Sequence, residues 1–136
     1  MARQIVLDSR EWIEIKNSAG EVTGGFFFNP TDMDIIKRAE QIAKFFENVN
    51  VPEDAEGLMK LNDDIRKQFG ILLGESASGA LFEHTSPMAL REDGSWYCEY
   101  VLDVIIPFIE GEFNTRIKRA NDRVAKYTRK YTKKKA

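Results

Sequence analysis

Of the residue types that most often carry chemistry, this chain has very few: its 136 residues include one cysteine and one histidine. The single thiol, Cys98, excludes an internal disulfide and fits a reducing compartment. With His84 the only imidazole, no pair of zinc-type ligands can be assembled. Only four prolines are present, and neither an internal repeat nor a flexible linker interrupts the chain. No apolar run approaches the ~18 residues that a membrane helix needs. The opening stretch, Met1 to Lys16, is broken by charges and has no apolar signal core, so a cleaved leader is not expected. A cytoplasmic location, without membrane contact, is the resulting expectation.

Catalytic motifs are missing as well. Gly74-Glu75-Ser76-Ala77-Ser78-Gly79 superficially resembles a phosphate-binding loop, but Ala80-Leu81 stands where lysine and a hydroxyl residue are needed. It also fails as a nucleophile elbow, because Ser78 replaces the second glycine and no strand precedes it. A triad of Ser76, His84 and a carboxylate would need geometry that a serine-rich loop does not supply. Glu83 and His84 read instead as decoration of a turn. Glu110 and Glu112 face different sides of a helix and make a poor acid/base pair. Asn62-Asp63-Asp64 lacks the alternating spacing and glycine of a calcium loop, and reads as the wet face of a helix. The expectation is a protein that is not an enzyme, with no catalytic, cofactor-binding or metal-binding residues and no cofactor.

What the chain does have is a globular composition, 43% hydrophobic and 31% charged, and a length typical of one domain. A chain of this size buries about two thirds of its unfolded surface, enough for a core without staples. Its formal net charge of −2 conceals a division. Through Thr115 there are 10 Lys/Arg and 21 Asp/Glu, a balance of −11; from Arg116 onward there are 10 Lys/Arg and one Asp, a balance of +9. Such asymmetry marks a tail with a partner of its own, whether nucleic acid, an acidic protein surface or the acidic body of a neighbouring copy.

Periodicity organises the rest. Ile13 and Ile15 alternate with Glu14 and Lys16, as in a half-buried strand. Asn17 to Gly20 supplies a turn, and Val22, Gly24, Phe26 and Phe28 line one face of a return strand, with Phe27 on the other. Gln4 to Leu7 is a candidate third strand. A first helix opens at Thr31, with Ile35, Ala39, Ile42 and Phe46 as its apolar stripe, widened by Ile36 and Ala43. Phe45 falls at the flank of that stripe or outside it. A second helix starts near Pro52 to Asp54, carries Leu58, Leu61, Ile65, Phe69 and Leu72, and ends at Gly74. From Glu75 to Ser95 the pattern dissolves, with Ala80-Leu81-Phe82 and Met88-Ala89-Leu90 as short helical turns. Asp93-Gly94-Ser95 caps a third helix, which runs from about Trp96 past Tyr127 and should kink at Pro107.

The expected fold is therefore mainly α with a small N-terminal antiparallel β-hairpin or meander, an α+β class with three main helices. The single domain, 1–136, comprises a hairpin region (1–29), a helical body (30–112) and a projecting basic amphipathic helix (113–136). In that last part Phe113, Ile117, Ala120, Val124, Tyr127 and Tyr131 recur at steps of three and four, a narrow seam of coiled-coil type. Arg116, Lys118, Arg119, Arg123, Lys126 and Lys130 occupy much of the remaining surface. Candidate partner-binding residues are Phe113, Ile117, Val124 and Tyr127 of the seam, the cations Arg116, Arg119, Arg123, Lys126 and Lys130, and Phe45. Heptad order points to a protein helix, or to self-association, before nucleic acid.

Taken in order, several features resemble the small tail assembly chaperones of long-tailed phages and prophages of Gram-positive bacteria. They are a hairpin running into Phe28-Asn29-Pro30-Thr31-Asp32, then Phe69-Gly70, a Gly/Ser loop to Leu81-Phe82, and Ser86-Pro87. Next come the helix Ile105-Ile106-Pro107-Phe108-Ile109-Glu110 and the ending Arg123 to Tyr131. The resemblance implies a protein that binds a long, helical, aggregation-prone tape-measure protein during tail assembly, with the tail-tube protein as a further partner. It brings no catalytic residues. The regions of Trp12 and Trp96 lie outside the pattern. A nucleic-acid-binding accessory protein and a structural tail component are the alternatives.

Overall fold

The computed structural model describes residues 2–134, with side chains through Lys126. Its elements are β1 (Glu11–Lys16), β2 (Val22–Phe28), α1 (Ile35–Glu47), α2 (Ala55–Leu73), α3 (Glu75–Leu81) and α4 (Tyr97–Lys134). The described chain is thus mainly helical, with a two-stranded antiparallel sheet at its N-terminal side and four helices. The fourth is the correction to the expected three.

The hairpin forms as its alternation requires. Ile13 pairs with Phe26 and Trp12 with Phe27, and a register shift lies between Ile15 and Lys16. Asn17 closes the turn by accepting the N–H groups of Ala19 and Glu21, each at 3.0 Å, while Gly20 takes φ +82°. Phe26 and Phe28 are buried, and the outward Phe27 is half-exposed. The Trp12 ring lies over Gly25, where a side chain would collide with it and come within 2.9 Å of the Ile13 carbonyl oxygen. Gln4 to Leu7 forms no strand: residues 2–10 carry no regular structure, and Ile5, Val6 and Leu7 are 83%, 94% and 86% exposed. An apolar run without a neighbouring face to cover it gains nothing from pairing.

The first helix begins four residues later than the capping pattern suggests. Thr31 donates its N–H and hydroxyl to Asn29 Oδ1 at 3.1 and 3.2 Å, and Asp34 donates its N–H to Asp32 Oδ1 at 3.0 Å. These local bonds hold 29–34 in turns, competing with the helix for the same backbone groups. On α1 the stripe is narrower than read: Ile35 and Ile42 are buried, whereas Ile36 is 51% exposed and Ala43 is exposed.

Helix α2 has the expected ends. Asp54 accepts the Gly57 N–H, and Gly74 at φ +102° donates to the Gly70 carbonyl at 2.8 Å. Ile65, Phe69 and Leu72 are fully enclosed at the centre of the core, with Phe82 meeting Phe69 edge-on at 4.9 Å between centroids.

The helical turn expected at Ala80-Leu81-Phe82 is the end of a longer helix, α3, whose start periodicity did not reveal because it has little apolar surface of its own. Seven residues, ESASGAL, leave Gly74 and pack Ala77 and Ser78 into the core, where Ser78 Oγ donates to the Arg66 carbonyl at 2.8 Å. That bond satisfies the buried hydroxyl. The turn around Met88 is not helical. Its N–H donates to Asn62 Oδ1 at 3.1 Å, so Asn62 pins the loop instead of facing only water. Ser95 does not cap α4 either; its hydroxyl bonds Asp93, and Glu99 accepts the Trp96 N–H at 2.7 Å. This is the reciprocal half of a capping box.

The last helix continues without interruption through Pro107. Its first part closes the core through Cys98, Val101 and Ile109. From Ile117 to Lys126 every side chain is exposed.

Candidate functional site

The helix leaves the body at a defined clamp. Arg116 Nη2 donates to Glu11 at 3.0 and 2.8 Å and to Glu112 at 3.3 Å, while Nη1 donates to Thr31 Oγ1 at 3.1 Å. One guanidinium thereby ties α4 to the start of β1 and to the turn after β2. Hydrogen bonding to Glu11 raises the already high pKa of Arg116. Expected from sequence as a partner-binding cation, Arg116 is engaged within its own chain.

On either side of the clamp the expected seam is laid out as follows. Phe113 is half-buried and packs against the core, Ile117 is 50% exposed and Val124 is 56% exposed. Arg119, Arg123 and Lys126 are exposed. The side chains of Tyr127 and Lys130 lie outside the described residues. From Ile117 to Lys134 the helix extends about 27 Å at 1.5 Å per residue. Phe45, expected as an outlying contact, is half-buried against Phe46, with ring centroids 5.4 Å apart.

Two apolar grooves lie on the body. One, of 390 Å³, runs between α1 and α4 and is lined by Ile36, Ala39, Ala43, Leu72, Ile106 and Phe113 among others. It leads directly into the seam, because Phe113 belongs to both. This continuity explains why Ile36 and Ala43 extend the apolar pattern of α1 without being buried. The other groove, of 430 Å³, lies where α2 faces the 86–96 loop. Its apolar lining includes Val51, Leu58, Met59, Met88, Leu90 and Trp96. Met59 and Leu90 are 71% and 73% exposed. Sequence reading missed this second groove, since Met59 sits one residue off the stripe of α2 and Leu90 stands in a loop without periodicity. A signal was present in the density of methionine and leucine beside polar turn residues.

A further apolar patch covers the outer face of the hairpin. Trp12 and Phe27 meet at 5.0 Å between centroids, with the Arg10 guanidinium 5.6 Å from the Phe27 ring. The His84 ring nitrogen Nε2 lies 3.3 Å from the Thr23 carbonyl oxygen, and Ser78 is committed to Arg66. Among the described residues no three His, Cys, Asp or Glu side chains converge on a common point, and no helix is long and apolar enough to cross a membrane. Burial raises the Cys98 thiol pKa to about 11, which keeps it protonated near neutrality. The surface offers apolar grooves, exposed aromatics and segregated charge. Set against known proteins, the chain matches no family model, no curated protein and no solved structure.

Proposed function

We propose that this protein is a non-enzymatic tail assembly chaperone that binds a helical, tape-measure-type phage protein while the tail is built. The observation that carries this reading is the continuous apolar track from the α1–α4 groove through Phe113 to Ile117, on a helix that projects beyond its own core. An amphipathic partner helix laid along that track would cover it with contacts at helical spacing. Helical segments that cannot bury their own apolar face are the natural clients of such a surface, because apolar burial is the main drive of their association. The order of sequence features shared with small tail assembly chaperones supports the same reading, with tail-tube protein as a further client and the bacterial cytoplasm as the place of action. A nucleic-acid-binding accessory protein is the second reading, favoured by the exposed Lys118, Arg119, Arg123 and Lys126; a structural tail component is the third.

The test is co-expression with a very long coiled-coil protein, which this reading expects to be encoded beside the gene. The intact chain should hold that protein in the soluble fraction. Ile117→Asp with Val124→Asp should abolish the effect, and Arg119→Glu with Arg123→Glu should leave most of it. If the charge variant abolishes the complex and the apolar variant leaves it intact, or if no such neighbouring protein is encoded, the reading is wrong.

A further inference from the structure

We propose that the protein self-associates head to tail, with the basic end of α4 from one copy seated in the Met59–Leu90 groove of the next. The proposal does not rest on the chaperone reading. It starts from the groove between α2 and the 86–96 loop, where Met59 and Leu90 are the most exposed apolar side chains of the helical body. Unbranched methionines at an open apolar groove adapt to varied helical ligands. The charge around this groove is one-sided. Asp63 lines it, and Glu53, Asp54, Glu56, Glu92 and Asp93 lie within three residues of Val51, Met59 or Leu90; Lys60 and Arg91 are the only cations in those same windows. Arg91 is directed onto the Tyr100 ring, 4.1 Å from its centroid.

The occupant that fits is a basic amphipathic helix, and the chain carries one. From Arg116 onward its balance is +9, against −11 in the residues before. A copy cannot fill its own groove. Trp96, at the start of α4, lines the groove, and the basic residues lie farther along the same unbroken helix. At 1.5 Å per residue, Ile117 lies about 31 Å from Trp96 and Lys126 about 45 Å away. Among the described side chains of this stretch, Arg116 is paired within the chain, by Glu11 and Glu112. Lys118, Arg119, Arg123 and Lys126 are exposed, and along this helix they can meet the groove of a second copy but not their own. Because groove and tail are different surfaces, an open assembly of any size leaves one groove and one tail unfilled, and the contact is heterologous, adding further copies into rings or open chains.

Light scattering on the full-length protein tests this across concentration, at low and high salt. At low salt the mass should rise with concentration beyond that of a monomer, and high salt should weaken association at least tenfold, since exposed charges are screened. Two variants separate the surfaces: Met59→Glu with Leu90→Glu in the groove, and Arg119→Glu with Arg123→Glu in the tail. All four positions are exposed, and circular dichroism should confirm that both variants are folded. Each variant alone should be monomeric. Mixed, they should form a 1:1 dimer that does not grow, because one supplies the only intact groove and the other the only intact tail. A wild-type chain that stays monomeric at several hundred micromolar would overturn the proposal. So would either variant associating as the wild type does, or a mixture that remains monomeric. The tail variant is the one expected to retain coiled-coil binding, so the two proposals fail on different results.

Discussion

Cys98 shows how one residue can be both the most reactive atom in a chain and an inert one. Its side chain is fully buried, and its backbone N–H donates to the Pro87 carbonyl at 2.8 Å, so it is fixed from both sides. Desolvation, and then the negative charge of Glu99, raise the thiol pKa from 9.0 to about 11. The unfolded chain therefore gives up this proton before the folded one. Stability from this group is fully present below about pH 9 and is lost as pH rises toward 11, by on the order of 2–3 kcal/mol. Denaturant titrations between pH 8 and 11 should show that decline in the wild type and a shallower one in Cys98→Ala, since only the difference belongs to the thiol. Native protein should also resist alkylation at pH 8 until denaturant is added. Arg116 is the opposite case, a residue whose role changed between sequence and structure. Periodicity placed it on a basic surface, and nothing local announced that Glu11, 105 positions away, would take its charge. Residues as far apart as these meet only through the fold.

At the scale of elements, Gly74 decides how the middle of the chain is built. It ends α2 and begins α3 at φ +102° and ψ 152°, a region essentially closed to residues with a side chain. Open space surrounds the position a Cβ would take, so the cost of a substitution is conformational and not steric. Gly74→Ala should lower unfolding free energy by about 1–3 kcal/mol. Ser78→Ala, which leaves the Arg66 carbonyl without its side-chain donor, should cost about 1 kcal/mol. Urea titration checks both, with an unchanged slope as the sign that the unfolded state is unaltered. The same elements show what a sequence makes legible. Helix α2 was readable because Leu61, Ile65, Phe69 and Leu72 recur on one face of a nineteen-residue helix, between an aspartate and a glycine that cap it. The hairpin was readable because alternation of period two leaves few other solutions. Helix α3 was not, since it offers seven residues and buries mainly Ala77 and a serine. The start of α1 was displaced because Asn29 and Asp32 bind local backbone groups more readily than helix formation would.

For the molecule as a whole, the helical spacing of Phe113, Ile117 and Val124 was legible, and the grooves were not, because a groove needs two elements and periodicity describes one. Joining the 390 Å³ groove to the seam required knowing that Ile36 of α1 and Ile106 of α4 line one groove. Charge segregation was fully written in the sequence, and it makes the last prediction. A DNA complex using the tail cations would release counterions with each phosphate contact, so its affinity would fall steeply between low and moderate salt. The acidic body opposes such a complex further, with a balance of −11 before Arg116. Contacts made by Phe113 and Ile117 are apolar and are not screened. Fluorescence anisotropy with a 30-base-pair duplex should therefore show weak binding at about 50 mM salt that vanishes near 150 mM, whereas a complex with a coiled-coil partner should persist at both. Persistence of tight DNA binding at the higher salt, lost in Arg119→Glu with Arg123→Glu and kept in Ile117→Asp, would instead make nucleic acid the physiological partner of this helix.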